Sequence, residues 1–79
     1  MDATELSRMR WRCRRGMLEN DLILTRFLDA RGSTISAADV AALDRLLDFA
    51  DGELWDLIAG RVEPDDVELL PMVAALRAA

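Results

Sequence analysis

Apolar residues along this chain recur at helical spacing and never alternate as a half-buried strand would. Leu6, Met9 and Cys13 share one face, which predicts a first helix over about 4–15 with Thr4 as its cap. Ile23, Leu24, Phe27 and Leu28 form a broad stripe with Met17 near it, predicting a second helix over about 17–31 that Gly32 ends. Glu19 and Arg26 lie close together in angle on the other side of that helix. After a loop at Ser33-Thr34-Ile35, Ser36 followed by Asp39 is a variant of the capping box and opens a third helix. Val40, Leu43, Leu46, Leu47 and Ala50 make its buried face, and Asp39, Asp44 and Asp48 its wet one. Leu54, Trp55, Leu57 and Ile58 supply a short fourth helix over about 52–59, capped by Asp51 and stopped by Gly60. Arg61 to Pro64 reads as a loop.

Leu69, Met72, Val73 and Leu76 mark a last helix, for which Asp65 and Glu68 form a second capping-box pattern. Pro71 would remove a hydrogen bond from a helix interior, so the first turn is expected to be separate and the regular helix to begin near Leu70. The fold class is therefore all-α: residues 1–79 as one small domain, a compact bundle of about five short helices. Isolated helices of this length are unstable in water, so mutual packing must hold them.

Charge changes this picture by dividing it. The net charge is −5, yet residues 1–31 carry seven arginines against five acids and residues 32–79 three against ten. A mildly basic N-terminal part precedes a strongly acidic remainder, which argues against a general nucleic-acid binder. All basic residues are Arg and none is Lys, which suits planar contacts to carboxylates and also fits a GC-rich genome. With no His and one Cys, zinc clusters and His-based acid–base chemistry have no residues to build on. No phosphate loop, dinucleotide fingerprint, nucleophile elbow or calcium loop occurs. The expectation is a protein that is not an enzyme. One cysteine and no signal-peptide pattern lead to an expected reducing, cytoplasmic location. No apolar run is long enough to span a membrane.

Candidate chemistry concentrates at residues 11–21. In Arg15-Gly16-x-x-Glu19 a bare glycine lies between two opposite charges. That would let a partner's backbone come close. The same spacing also describes a glycine that closes a helix between dipole-favourable charges, a common pattern. Trp11, about 140° from Leu6 at 100° per residue, lies off the apolar face among Arg8, Arg10, Arg12, Arg14 and Arg15. It is either part of a contact surface for an acidic or flavin-bearing partner, or packs on a neighbouring helix while the arginines balance the acidic half. Cys13, on the Leu6/Met9 face, reads as a small buried hydrophobe rather than a reactive thiol. The carboxylates read as a solvated face.

The run Trp11-Arg12-Cys13-Arg14-Arg15-Gly16-Met17-Leu18-Glu19-Asn20-Asp21 resembles the signature of the SdhE family, whose hallmark is R-G-x-x-E followed by x-D. Arg15, Gly16, Glu19 and Asp21 meet it. The likeness extends along nearly the whole chain, including Leu46-Leu47 and Asp51-Gly52-Glu53-Leu54. It departs where relatives often carry a Trp: here Leu57 stands, with Trp55 two positions earlier. The resemblance implies an all-helical assembly factor with the R-G-x-x-E residues on an exposed surface. Such a factor binds the flavoprotein subunit of succinate dehydrogenase or fumarate reductase and promotes its covalent flavinylation with FAD. The partner-binding residues carried over are Arg15, Gly16, Glu19 and Asp21, with Trp11, Arg12 and Arg14 beside them. With no His and no dinucleotide loop, the chain is expected to bind no cofactor tightly, FAD being handled by the client. It is expected to be a monomer when free, to bind no nucleic acid and not to be a membrane protein itself. The alternative is an antitoxin or other regulatory protein-binding module unrelated to flavin, served by the same surface.

Overall fold

Local capping chemistry sets where most of the helices start. In the computed structural model, which describes residues 1–79, helix α1 (Ala3–Arg12) is opened by Asp2, whose Oδ1 accepts from the backbone N–H of Glu5 at 2.8 Å. Thr4, the expected cap, lies inside the helix. A carboxylate at position 2 both accepts that hydrogen bond and suits the positive end of the helix dipole. Helix α2 (Leu18–Arg31) closes on Gly32. Helix α3 (Ala37–Leu46) is capped as the sequence predicts, with Ser36 Oγ accepting from Asp39 N–H at 3.1 Å.

Helix α4 (Asp51–Ile58) begins one residue earlier than the sequence suggests. Ala50 is its N-cap, and Glu53 reaches back to accept from the Ala50 N–H at 3.1 Å. Asp51, expected to cap, is the first helical residue, and its carboxylate is taken by Arg15 instead. Ala50 is consequently exposed rather than on the buried face of α3, and Val40 is half-buried. At the last helix, Asp66 rather than Asp65 does the capping, accepting from Glu68 N–H at 2.9 Å over a single 3₁₀ turn, Val67–Leu69. Asp66 is also the residue that meets Arg45, whose guanidinium holds its carboxyl below the usual carboxylate range. Helix α5 (Leu70–Arg77) then starts with Pro71 in its first turn, where no N–H is needed.

Helix α2 is central and packs against α1, α4 and α5, while α3 leans on α5 and the 3₁₀ turn. Met9 and Cys13 of α1 and its cap, Leu24, Phe27 and Leu28 of α2, Leu43 and Leu46 of α3, Leu54, Leu57 and Ile58 of α4, and Met72, Val73 and Leu76 of α5 form one core. Fully burying a side chain such as Leu24 contributes about 2 kcal/mol, so this single cluster holds the bundle. Leu57 fills the core from α4 and Trp55 stays half-buried at its shoulder. Gly32 lets α1 come close to the end of α2: a Cβ there would stand 2.7 Å from Leu6 Cδ1 of α1 and 2.5 Å from the Leu28 carbonyl oxygen of its own helix.

Candidate functional site

The connection between α1 and α2 is built by residues that bond across the molecule. Helix α1 stops at Arg12, three residues short of the predicted end, with Cys13 as its cap. Gly16 therefore does not close a helix. It sits in the open connection at φ +89°, a left-handed conformation that side-chain-bearing residues rarely adopt, and nothing lies within 4 Å of where its Cβ would be. The carboxylate of Asp21, in the first turns of α2, accepts from the backbone N–H of Arg15 at 3.0 Å and of Gly16 at 3.3 Å. These bonds draw the chain out of helical geometry and fix the corner.

Arg15 turns inward. Its Nε donates to Asp51 Oδ1 at 2.5 Å, and its two terminal nitrogens donate to the carbonyls of Leu47 and Phe49, so its side chain is only 16% exposed. One planar fork thus ties the α1–α2 corner to the α3–α4 connection. Arg12 does the same from the end of α1, bonding Asp44 on α3 at 2.8 Å and Asp48 in the α3–α4 connection at 2.9 Å. Asn20 is fully buried and donates through Nδ2 to the Asp51 carbonyl at 3.0 Å, adding a second tie between this corner and α4. Its role was open to inference from one sign in the sequence, a polar residue on the core side of α2.

The other site candidates face outward. Trp11 is 74% exposed, and the Arg14 guanidinium lies 5.7 Å from its ring centroid, within cation–π range. Gly16 and Glu19 are exposed. The sequence alternatives for this stretch therefore split residue by residue: Arg12 and Arg15, together with Arg10 on Asp29 at 2.9 Å, balance acids of the same chain, whereas Trp11 packs on no helix. Arg15, expected to reach a partner, is engaged by the fold. Leu18 and Leu22, 67% and 48% exposed on α2, escaped the sequence reading. The signal for them was that apolar residues occur on both sides of α2, more than one core face requires.

Cys13 lies 3% exposed beside this corner, and burial pushes its thiol up to about 11, against the pull of Arg12 and Arg15. At neutral pH it is an inert thiol. No group of three metal-ligating side chains comes together, and no helix is long and apolar enough to cross a membrane. A groove of about 420 Å³ lies elsewhere, between α4 and the loop after it, rimmed by Glu53, Asp56, Glu63 and Asp65, and another of about 410 Å³ lies on α3 beside Ala38, Ala42, Arg45 and Glu68.

In class the protein is a small all-helical domain built around an open, glycine-centred corner with an exposed tryptophan beside it. Comparison with known proteins gives the class its family. Residues 7–79 match the family described as flavinator of succinate dehydrogenase. The chain is 42% identical over 72 residues to the FAD assembly factor SdhE of Ralstonia nicotianae, covering 91% of this chain and 76% of that protein. It is 40% identical over 77 residues to the FAD assembly factor SdhE of Legionella pneumophila strain Lens, covering 98% and 96%, and 39% identical over 72 residues to that of Pseudomonas aeruginosa, covering 91% and 86%. The chain belongs to this family of FAD assembly factors, which are not enzymes.

Proposed function

We propose that this protein docks on the flavoprotein subunit of succinate dehydrogenase through the outer side of the α1–α2 corner, and holds it in a state that attaches its own FAD covalently. Family membership supports the client and the outcome. The single observation that carries the docking site is the division of the corner. Arg12, Arg15 and Asp21 bond inward, and Trp11, Arg14, Gly16 and Glu19 are left facing solvent. In this reading Gly16 gives the client close access to backbone, Glu19 and Arg14 offer opposite charges, and Trp11 anchors. Arg12, Arg15 and Asp21 are positioning residues that hold the corner in shape. Flavinylation of fumarate reductase by the same route belongs to this proposal, as does a cytoplasmic setting.

The FAD is the client's in this proposal. The chain contains no histidine to receive a flavin, and four carboxylates around the groove beside α4 would repel a dinucleotide pyrophosphate. The test is covalent flavin in the client. The succinate dehydrogenase flavoprotein is expressed in cells lacking this gene, and wild type or Glu19→Ala is added back. Flavin fluorescence of the denatured subunit is then read in a gel. Wild type restores the signal, and Glu19→Ala, folded by circular dichroism, leaves it at least several-fold weaker. Equal signal with and without the gene defeats the proposal and moves a flavin-independent regulatory role forward.

A further inference from the structure

The first turn of α2, Leu18–Asp21, carries Glu19, and few of its side chains hold it to the rest of the molecule. Met17, the N-cap, makes no side-chain cap bond. Leu18 and Glu19 are exposed, and Asp21 is half-buried with its carboxylate turned back to the N–H groups of Arg15 and Gly16. The first fully buried apolar side chain of the helix is Leu24, five residues beyond Glu19. Asn20 is the exception within the turn. It is fully buried, and at about 100° per residue it falls within about 40° of Leu24 and Phe27 on the core face. Its Nδ2 makes the turn's one side-chain hydrogen bond to another helix, to the Asp51 carbonyl of α4 at 3.0 Å. The receiving end is firm: Glu53 accepts from the Ala50 N–H at 3.1 Å, Arg15 holds the Asp51 carboxylate, and Leu54 is fully buried.

Resting on the docking proposal above, we infer that Asn20 is a positioning residue that aims Glu19 at the client. Neighbouring residues of a helix point about 100° apart, so a side chain pinned to α4 at position 20 fixes the direction of position 19. Glu19 itself has no ion pair within the chain to hold it. Stability does not account for Asn20. Its Oδ1 is buried and accepts no hydrogen bond, so desolvation takes back much of what the Nδ2 bond contributes. An apolar side chain would hold the same place in the core without that cost. What the amide adds is direction: apolar burial is non-directional, whereas a hydrogen bond weakens steeply off its axis and so resists rotation of the turn. The Glu19 carboxylate is then presented in a fixed orientation, and binding loses less freedom than it would from a loose turn.

The test has two readouts on the purified full chain. The first is backbone order in the free protein, from amide nitrogen relaxation. In Asn20→Ala the order parameters of residues 18–21 should fall toward the roughly 0.6 of flexible backbone, while those of α4 and α5 stay as in wild type. A first turn as ordered as in wild type, or loosening that spreads through the bundle, overturns the inference whatever the client does. The second is binding to the succinate dehydrogenase flavoprotein subunit of the same genome, produced without covalent flavin. Asn20→Ala should bind at least 5-fold more weakly than wild type, yet cost less than 2-fold in a Glu19→Gln background, because the residue acts through Glu19. Binding of Asn20→Ala within 2-fold of wild type, or the same loss in both backgrounds, overturns the inference and leaves the docking proposal standing. If wild type does not bind, or Glu19→Gln binds as wild type does, the docking proposal fails at Glu19 and the inference with it. Circular dichroism melts check folding. Should Asn20→Ala not fold, Asn20→Ser, whose hydroxyl can bond its own helix backbone, goes through the same two readouts against the same limits.

Discussion

The protein has two glycine corners held by arginine forks, and they differ in what they leave for a partner. At the second corner Gly60 sits at φ +80° directly after α4. The turn there is complete in itself: Arg61 N–H donates to the Asp56 carbonyl at 2.9 Å and Gly60 N–H to that of Leu57 at 3.2 Å, the double bond of a Schellman motif. Arg77 from α5 then donates to the carbonyls of Leu57 (2.9 Å) and Val62 (3.1 Å) and to Glu63. At the first corner, Arg15 likewise holds two carbonyls and a carboxylate, but Gly16 has no helix end to close and depends on Asp21 and on bonds to residues more than thirty positions away. Local hydrogen bonds make the Gly60 turn self-sufficient. The Gly16 corner exists only in the folded protein, which is how its backbone can stay open on the outside.

The difference can be broken most directly at the forks. Arg15→Ala leaves two largely buried carbonyls and Asp51 without their donor, and is expected to cost about 3 kcal/mol in urea unfolding. Arg77→Ala, where the turn closes itself and the side chain is more exposed, should cost about 1 kcal/mol. Equal losses would abolish the distinction between the corners. The glycines sharpen it. Gly16→Ala and Gly60→Ala both force a side chain into left-handed backbone with open space around it, and each should lose about 1 kcal/mol. Gly16→Arg, however, should abolish flavinylation of the client while Gly60→Arg leaves it within 2-fold, read as covalent flavin fluorescence.

Cys13 supplies the smallest effect. Its thiol keeps its proton in the folded protein up to about pH 11, against about 9 for an unperturbed thiol. The unfolded chain therefore loses this proton first, so the contribution is fully present below pH 9 and is lost as pH rises toward 11. Urea midpoints should fall across that window in wild type and less in Cys13→Ala. At neutral pH iodoacetamide should label Cys13 only in denaturant.

What was legible in the sequence was what neighbours decide. Ser36 caps α3 through Asp39, three residues away, and Pro71 forces a break before α5; both follow from local geometry. The core stripes of α2, α4 and α5 were legible for the same reason. Arg15 was not, because the sequence shows a charge beside a glycine and not the carbonyls of Leu47 and Phe49 that receive it. The early end of α1 is hidden likewise, since Asp21 fixes it from the next helix. Leu18 and Leu22 lie off the stripe of α2, and their exposure shows only once the neighbours of α2 are known.

The central place of α2 has a consequence for synthesis. Its core face is covered by α4 and by α5, which follows the other four helices in chain order. During translation Leu24, Phe27 and Leu28 emerge early and wait for Met72, Val73 and Leu76. Until α5 has cleared the ribosome the core cannot close, and the nascent chain shows apolar surface on both sides of α2 at once. Growing chains are therefore exposed to holdase chaperones and to aggregation from the emergence of α2 until that of α5.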